Sequence, residues 1–199
     1  MGDLNPARRG MRRVAALAKL PEPMATLEDV GPSLPRVARR AIAEFLSGDG
    51  IAAFEPSGPR SPVFVTLRAP SGALRGCIGS MAASRGDVVS ETARSAVLAA
   101  TRDPRFEPVS SAELPQLSIE VSVLEPEEPV ASISELDPSR YGVVVRDDAG
   151  HQGLLLPAID GVDEARLQVD VARRKAGIPS GATLKLSRFR VHKWVEQVG

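Results

Sequence analysis

Cysteine is almost missing from this chain: its 199 residues contain one, Cys77. A single thiol forms no intramolecular disulfide and anchors no cysteine-rich metal site. It fits a reducing compartment, so a cytoplasmic location is expected. Histidine is nearly as scarce, with only His151 and His192, and no local spacing of the two with Cys77 marks a metal-ligand set. Aromatic residues make up 4% of the chain, so aliphatic side chains must fill the core and few rings are available to stack on bases. Net charge is lacking too, because 25 basic residues balance 25 acidic ones. That leaves no global field to recruit DNA, RNA or an anionic membrane. No apolar run approaches the ~20 residues that cross a bilayer. P-loop, dinucleotide fingerprint, nucleophile elbow and metalloprotease helix are all absent, and no cofactor is predicted.

What is present is the composition of a globular protein, 43% hydrophobic and 25% charged. The length suits one generous domain or two small subdomains sharing a core. Only four of the 25 basic residues are lysine, a bias better explained by a GC-rich coding sequence than by phosphate recognition. Residues 1–32 stand apart as a basic, proline-rich extension. Arg8, Arg9, Arg12, Arg13 and Lys19 occur there without an acid over residues 7–20, and Pro21-Glu22-Pro23 follows. A mobile tail, or a start extended beyond a true initiator at Met24, is expected before a basic binding arm. The stretch lacks the apolar core of a signal peptide. Pro6 stands where a myristoylation signal needs Ser or Thr.

From Ser33 the pattern is regular. Leu34, Val37, Ala38, Ala41, Ile42 and Phe45 have helical spacing, with Ser33 as the N-cap and Gly48 as the stop. Val63, Val65 and Leu67 alternate with Phe64, Thr66 and Arg68, Pro70-Ser71-Gly72 reads as a hairpin turn, and Leu74 to Ser80 returns as a strand. A helix follows over residues 87–102, stopped at Asp103-Pro104. Residues 117–123 alternate again. A second hairpin joins Tyr141–Arg146 to Gly153–Leu156, a helix spans about 163–176, and Leu184–Val195 closes the chain as one alternating run. This order predicts an α+β fold of mostly antiparallel sheets with flanking helices.

Cys77 lies in Leu74-Arg75-Gly76-Cys77-Ile78-Gly79-Ser80. A free cysteine often serves as a small buried hydrophobe, and that reading stays open. Against it, Arg75 is two positions away, so it is expected on the same strand face, where a guanidinium favours the nucleophilic thiolate. Gly76 and Gly79 are expected to leave room for a ligand against the backbone, with free amides there to hold an oxyanion. Glu120, between Ser118 and Ser122 on a polar strand face, is an acid–base candidate if that face lines a cleft. His151, in a turn before Gly153, is a further catalytic candidate, and His192 in a strand reads as structural. Arg102-Asp103-Pro104-Arg105-Phe106 reads as a helix-ending turn, in which Asp103 pairs with an arginine and Phe106 plugs the core. Alternatively Arg75, Arg102 and Arg105 converge on a small anionic ligand beside Cys77.

Together these residues resemble the AMMECR1 domain family, whose prokaryotic members are called AmmeMemoRadiSam system protein A. The resemblance covers about residues 33–196. It rests on the Leu74–Ser80 motif, Asp103-Pro104-Arg105-Phe106 with Pro108, Glu113-Leu114, Glu120–Leu124, Gly153-Leu154-Leu155-Leu156-Pro157 and Lys175-Ala176-Gly177-Ile178-Pro179. It implies a larger subdomain (about 33–136 plus 180–196) and a smaller one (about 137–179), with the cysteine motif near the cleft between them. It also implies association with a Memo-like protein and a radical SAM protein. Ser80 and Arg105, as motif positions, join Arg75, Gly76 and Gly79 as expected ligand-binding residues. The chain departs from the family at Ala158, often Gln there, and at Gly161-Val162-Asp163, where an aromatic is missing.

Three functions are consistent with these readings. One is an enzyme, or enzyme component, using Cys77 as nucleophile or covalent carrier. Another is a non-catalytic adaptor whose cleft binds a partner or small anion. RNA binding is the third, and neutral charge and few aromatics argue against it.

Overall fold

The structure, a computed structural model, describes residues 25–51 and 53–196; the basic stretch over 7–20 lies outside the described residues. The chain enters through a single helical turn, α1 (Leu27–Val30), closed by a reciprocal capping box between Thr26 and Asp29. A 3-10 turn over Gly31–Ser33 runs on into α2 (Leu34–Leu46). Because the backbone is already helical at Ser33, its hydroxyl makes no cap to α2 and bonds the Val30 carbonyl instead. Val30 is buried in the main core, with Ala25 and Leu27 packed against it. Residues 25–32, expected in the extension, are thus packed on the main core.

The remaining elements are β1 (Val63–Arg68), β2 (Leu74–Gly79), α3 (Val88–Thr101), β3 (Ser118–Leu124), β4 (Glu128–Val130), β5 (Gly142–Arg146), β6 (Gln152–Leu155), α4 (Ala165–Lys175), β7 (Lys185–Phe189) and β8 (Val191–Val195). They form two four-stranded sheets, ordered β2-β1-β3-β8 and β4-β7-β5-β6. Each pairing is antiparallel, so the fold is α+β as expected.

One face of the first sheet carries Val63, Val65, Leu67, Ile119, Val121 and Val123, all fully buried with α2 and α3 residues in one cluster. Each such side chain contributes roughly 1.5–3 kcal/mol through burial. Asp87 caps α3 by accepting from the Ser90 amide, and the helix ends at Thr101 ahead of Asp103-Pro104. In the second unit, Val143, Val145 and Leu155 pack with Val169 and Ala172 of α4. Gly153 permits this contact: a Cβ there would lie 2.4 Å from the Ala172 carbonyl. A third cluster, Leu124, Val144 and Phe189 with Phe64, Met81 and Leu154, joins the two units.

The run Leu184–Val195 is not one strand. It breaks at Arg190, so β7 enters the second sheet while β8 pairs with β3 in the first. Residues 180–196 are thus shared between units rather than belonging wholly to the larger. Strand β4, which lies before the expected boundary at 137, also joins the second sheet. Alternation of period two marks a strand but not the sheet it joins. Among the described residues no helix is long and apolar enough to cross a membrane.

Candidate functional site

The first sheet's other face looks into a cleft of about 750 Å³. The opposite wall is β6, the loop after it, and Lys175 at the end of α4. Thr66 on the central strand pairs with Cys77 on one side and Glu120 on the other. Directly opposed residues share a sheet face, so Cys77, Thr66 and Glu120 form one row across the cleft floor. In the neighbouring row Phe64 lies between Gly79 and Ser122.

Cys77 is half-buried, and its sulfur accepts a hydrogen bond from Thr66 Oγ1 at 3.3 Å. Its backbone is held from the other side. The amide donates to Asp103 Oδ2 at 2.8 Å, and the carbonyl accepts from Arg105 Nη2 at 3.4 Å. Asp103, 4% exposed, receives Arg105 through both carboxylate oxygens, at 2.9 and 2.7 Å. That contact, with the amides of Cys77 and Arg105 adding to it against the opposing effect of burial, holds its carboxyl well below the usual range. The same hydrogen bond raises the Arg105 pKa above its ordinary value. The expected pairing of Asp103 with an arginine is present, and the cation beside Cys77 is Arg105.

Arg75 is not that cation. The β1–β2 register slips between Leu67 and Arg68: Leu67 faces Gly76 but Arg68 faces Leu74. The bulge leaves Arg75 unpaired and turns Leu74 into the cleft in its place. Arg75 instead forks onto Glu113. Its guanidinium and that of Arg105 both lie within 6 Å of the Phe106 ring centre, at 5.8 and 5.4 Å. Phe106 is half-buried between cations rather than a core plug, and Arg102 is exposed; the three arginines do not converge on one point. The glycines also serve packing. Gly76 faces α3, where a Cβ would meet the Ala99 carbonyl at 2.4 Å; Gly79 makes room for the Phe64 ring, 2.3 Å from a Cβ. Ser80 caps its own turn by accepting from the Ala82 amide.

His151 sits at the tip of the β5–β6 hairpin, its Nδ1 2.7 Å from Asp147 and its ring outside the cleft lining. His192 pairs with Glu125 at 2.6 Å and stacks on Trp194. Neither imidazole is joined to the Cys77 row. Glu120 does line the cleft, accepting from Ser122 at 3.4 Å with Lys193 at 3.8 Å. Two interstrand spacings separate it from Cys77, about 10 Å between Cα atoms, so the two groups meet only through something bound between them.

Sequence reasoning missed Thr66, which looks like any polar strand residue until its partner is known. It also missed Arg68, Lys175 and Lys193, which give the cleft three cations against Glu120 and Asp160 beside the Arg105–Asp103 pair. Ala158 lines the cleft with φ of 53°, left-handed backbone that a residue with a Cβ adopts at a cost. Its amide bonds the Pro138 carbonyl at 2.8 Å.

The AMMECR1 sequence model matches residues 35–194. A Thermotoga maritima protein is 45% identical over 136 residues, covering 68% of this chain and 78% of its own length. Protein MK0488 of Methanopyrus kandleri is 38% identical, covering 77% and 80% respectively. The crystal structure of uncharacterized protein PH0010 from Pyrococcus horikoshii superposes with a TM-score of 0.74 at 31% identity, over 84% of this chain and 91% of that one. With both sheets, the cleft and the cysteine motif inside the matched span, the chain belongs to the AMMECR1 family.

Proposed function

We propose that this protein is a group-transfer component that works through Cys77 as nucleophile and transient covalent carrier. The observation that carries the reading is the direction of the thiol: it lies on the cleft floor beside the Thr66 hydroxyl, while Gly76 and not Cys77 meets α3. Thr66 orients the sulfur, and the Asp103–Arg105 pair fixes the backbone that carries it. For an activated acyl donor R–CO–X, the sulfur attacks the carbonyl carbon. The S–H bond is lost, an S–C bond forms, and X departs with the proton. Glu120, across the row, is the carboxylate placed to relay that proton through bound ligand or water. An amine or hydroxyl acceptor then takes the acyl group and restores the thiol. The setting proposed from the family resemblance is a cytoplasmic modification system with a Memo-like protein and a radical SAM protein as partners.

A second reading, an adaptor without covalent chemistry, is favoured by the engagement of both histidines elsewhere. Alkylation separates the two. Native protein treated with iodoacetamide at neutral pH is expected to gain one adduct at Cys77, and Cys77→Ser none. Protein quenched in acid from cells is expected to carry a hydroxylamine-labile adduct at the same residue. A Cys77 that stays inert until denatured, with Cys77→Ser retaining full pathway activity, overturns the nucleophile and leaves the adaptor.

A further inference from the structure

The cleft wall opposite Cys77 is built in an unusual way. Five consecutive residues, Gln152 through Leu156, all line it. A strand presenting only one face to a groove contributes alternate residues, so an unbroken run indicates that the strand's backbone edge borders the space. Strand β6 is the terminal strand of its sheet, and among the described residues nothing pairs with its outer side.

The hydrogen-bond phase of the hairpin shows which groups are free there. The Asp147 amide donates to the His151 carbonyl at 3.2 Å, so that pair is hydrogen-bonded. Bonded and non-bonded pairs alternate along an antiparallel ladder. From the register Val145↔Gly153 and Val144↔Leu154, Gly153 bonds to β5 while Gln152 and Leu154 turn their amides and carbonyls outward. The contact of Lys175 Nζ with the Leu154 carbonyl at 3.4 Å fits that direction, since the ammonium comes from α4 and not from β5. The outer edge of β2 is closed at Cys77 by Asp103 and Arg105. One open edge therefore borders the cleft, beside three further cations, Arg68, Lys175 and Lys193, against Glu120 and Asp160, while Arg105 is already paired with Asp103.

We infer that the cleft takes an extended, acidic polypeptide segment that adds to β6 as a further strand. Main-chain bonds to Gln152 and to the Leu154 amide hold the segment, and the excess of cations selects carboxylate side chains. Alternate side chains of the segment then point at the row of Cys77, Thr66 and Glu120. This names the substrate class for the chemistry proposed above and rests on that reading for its purpose, but the docking itself needs no thiol.

The test exploits that independence. A random dodecapeptide library displayed on phage is selected against the full chain carrying Cys77→Ser, and the most enriched sequence is synthesised. Enrichment of acidic sequences with alternating apolar positions is expected. Amide exchange by NMR is expected to show the Gln152 and Leu154 amides fast in the free protein and protected in the complex. Leu154→Pro removes the outward amide at a position where an edge strand tolerates proline, and is expected to weaken the synthetic peptide by about tenfold or more. If that variant fails to fold, the exchange measurement decides alone. No enrichment over a bait-free control overturns the inference. So does binding that leaves both amides unprotected, or protection that arises without peptide from pairing of two copies of this chain. Peptide binding by a protein whose Cys77 is inert to iodoacetamide sustains the docking and sinks only the nucleophile.

Discussion

On the helix side of the first sheet, Val63, Val65, Leu67, Ile119, Val121 and Val123 have no exposed surface. On the cleft side, the residues between them are Phe64, Thr66, Arg68, Glu120 and Ser122, with Cys77 and Lys193 from the neighbouring strands. The same backbone carries both sets, and only the pleat separates them. The helix face is uniform, aliphatic and closed, and it supplies the cohesion. The cleft face mixes a ring, a thiol, hydroxyls and both signs of charge, which a core would tolerate only if every group were paired. Because stability is secured on one side, the other side is free to hold groups suited to a ligand.

Substitutions sharpen that division. Leu67→Ala, on the helix face, is expected to lose about 2–5 kcal/mol in urea unfolding; a loss no larger than that of Thr66→Ala would break the comparison. Gly76→Ala pushes a methyl into the Ala99 carbonyl and is expected to cost about 1–3 kcal/mol by the same measurement. An unchanged midpoint would mean that α3 does not press on the strand as described.

Asp103→Asn acts at the rim of the cleft face, where it removes the charge that binds Arg105 and the Cys77 amide. A loss of about 1–3 kcal/mol is expected. The sign of its pH dependence follows from the lowered carboxyl. The folded state favours the ionised form, so the contribution is complete above the unfolded pKa of about 4 and disappears as pH falls through the depressed folded value. The gap between wild type and Asp103→Asn should therefore be flat from about pH 5 to about pH 8 and close only in strong acid. A gap that closes near neutrality would place the charge elsewhere. Smallest is Glu120→Gln, whose partner Lys193 stands at 3.8 Å. Its stability is expected to change by less than about 0.5 kcal/mol, while any turnover assay that depends on Cys77 slows. A large thermal shift would assign Glu120 to structure.

Much of this molecule is legible in its sequence. The strand over Val63–Arg68 and the helices α2 and α3 follow from apolar spacing, and Asp103-Pro104 ends α3 where the residue before proline should. Cys77 and Glu120 both line the cleft; the strand pattern alone leaves Glu120 equally able to face open solvent, and only the family resemblance points Cys77 toward a cleft. What escaped was pairing. Arg75 seemed to share a face with Cys77 by counting residues, but a bulge depends on how β1 meets β2 and leaves no local trace. The split of residues 184–195 at Arg190 escaped for the same reason, since both halves alternate alike. The glycines of the motif suggest space for a ligand, because the occupants of that space, Ala99 and Phe64, come from other segments.

The grip of Asp103 and Arg105 on the main chain of Cys77 has a consequence for the molecule in a crowded solution. An outermost strand with bare amides invites the same strand of another molecule, and side-by-side stacking follows. Here a carboxylate and a guanidinium from the turn after α3 occupy those positions at Cys77. Two side chains stand in for an absent neighbour, and the main chain that carries the thiol is already spoken for.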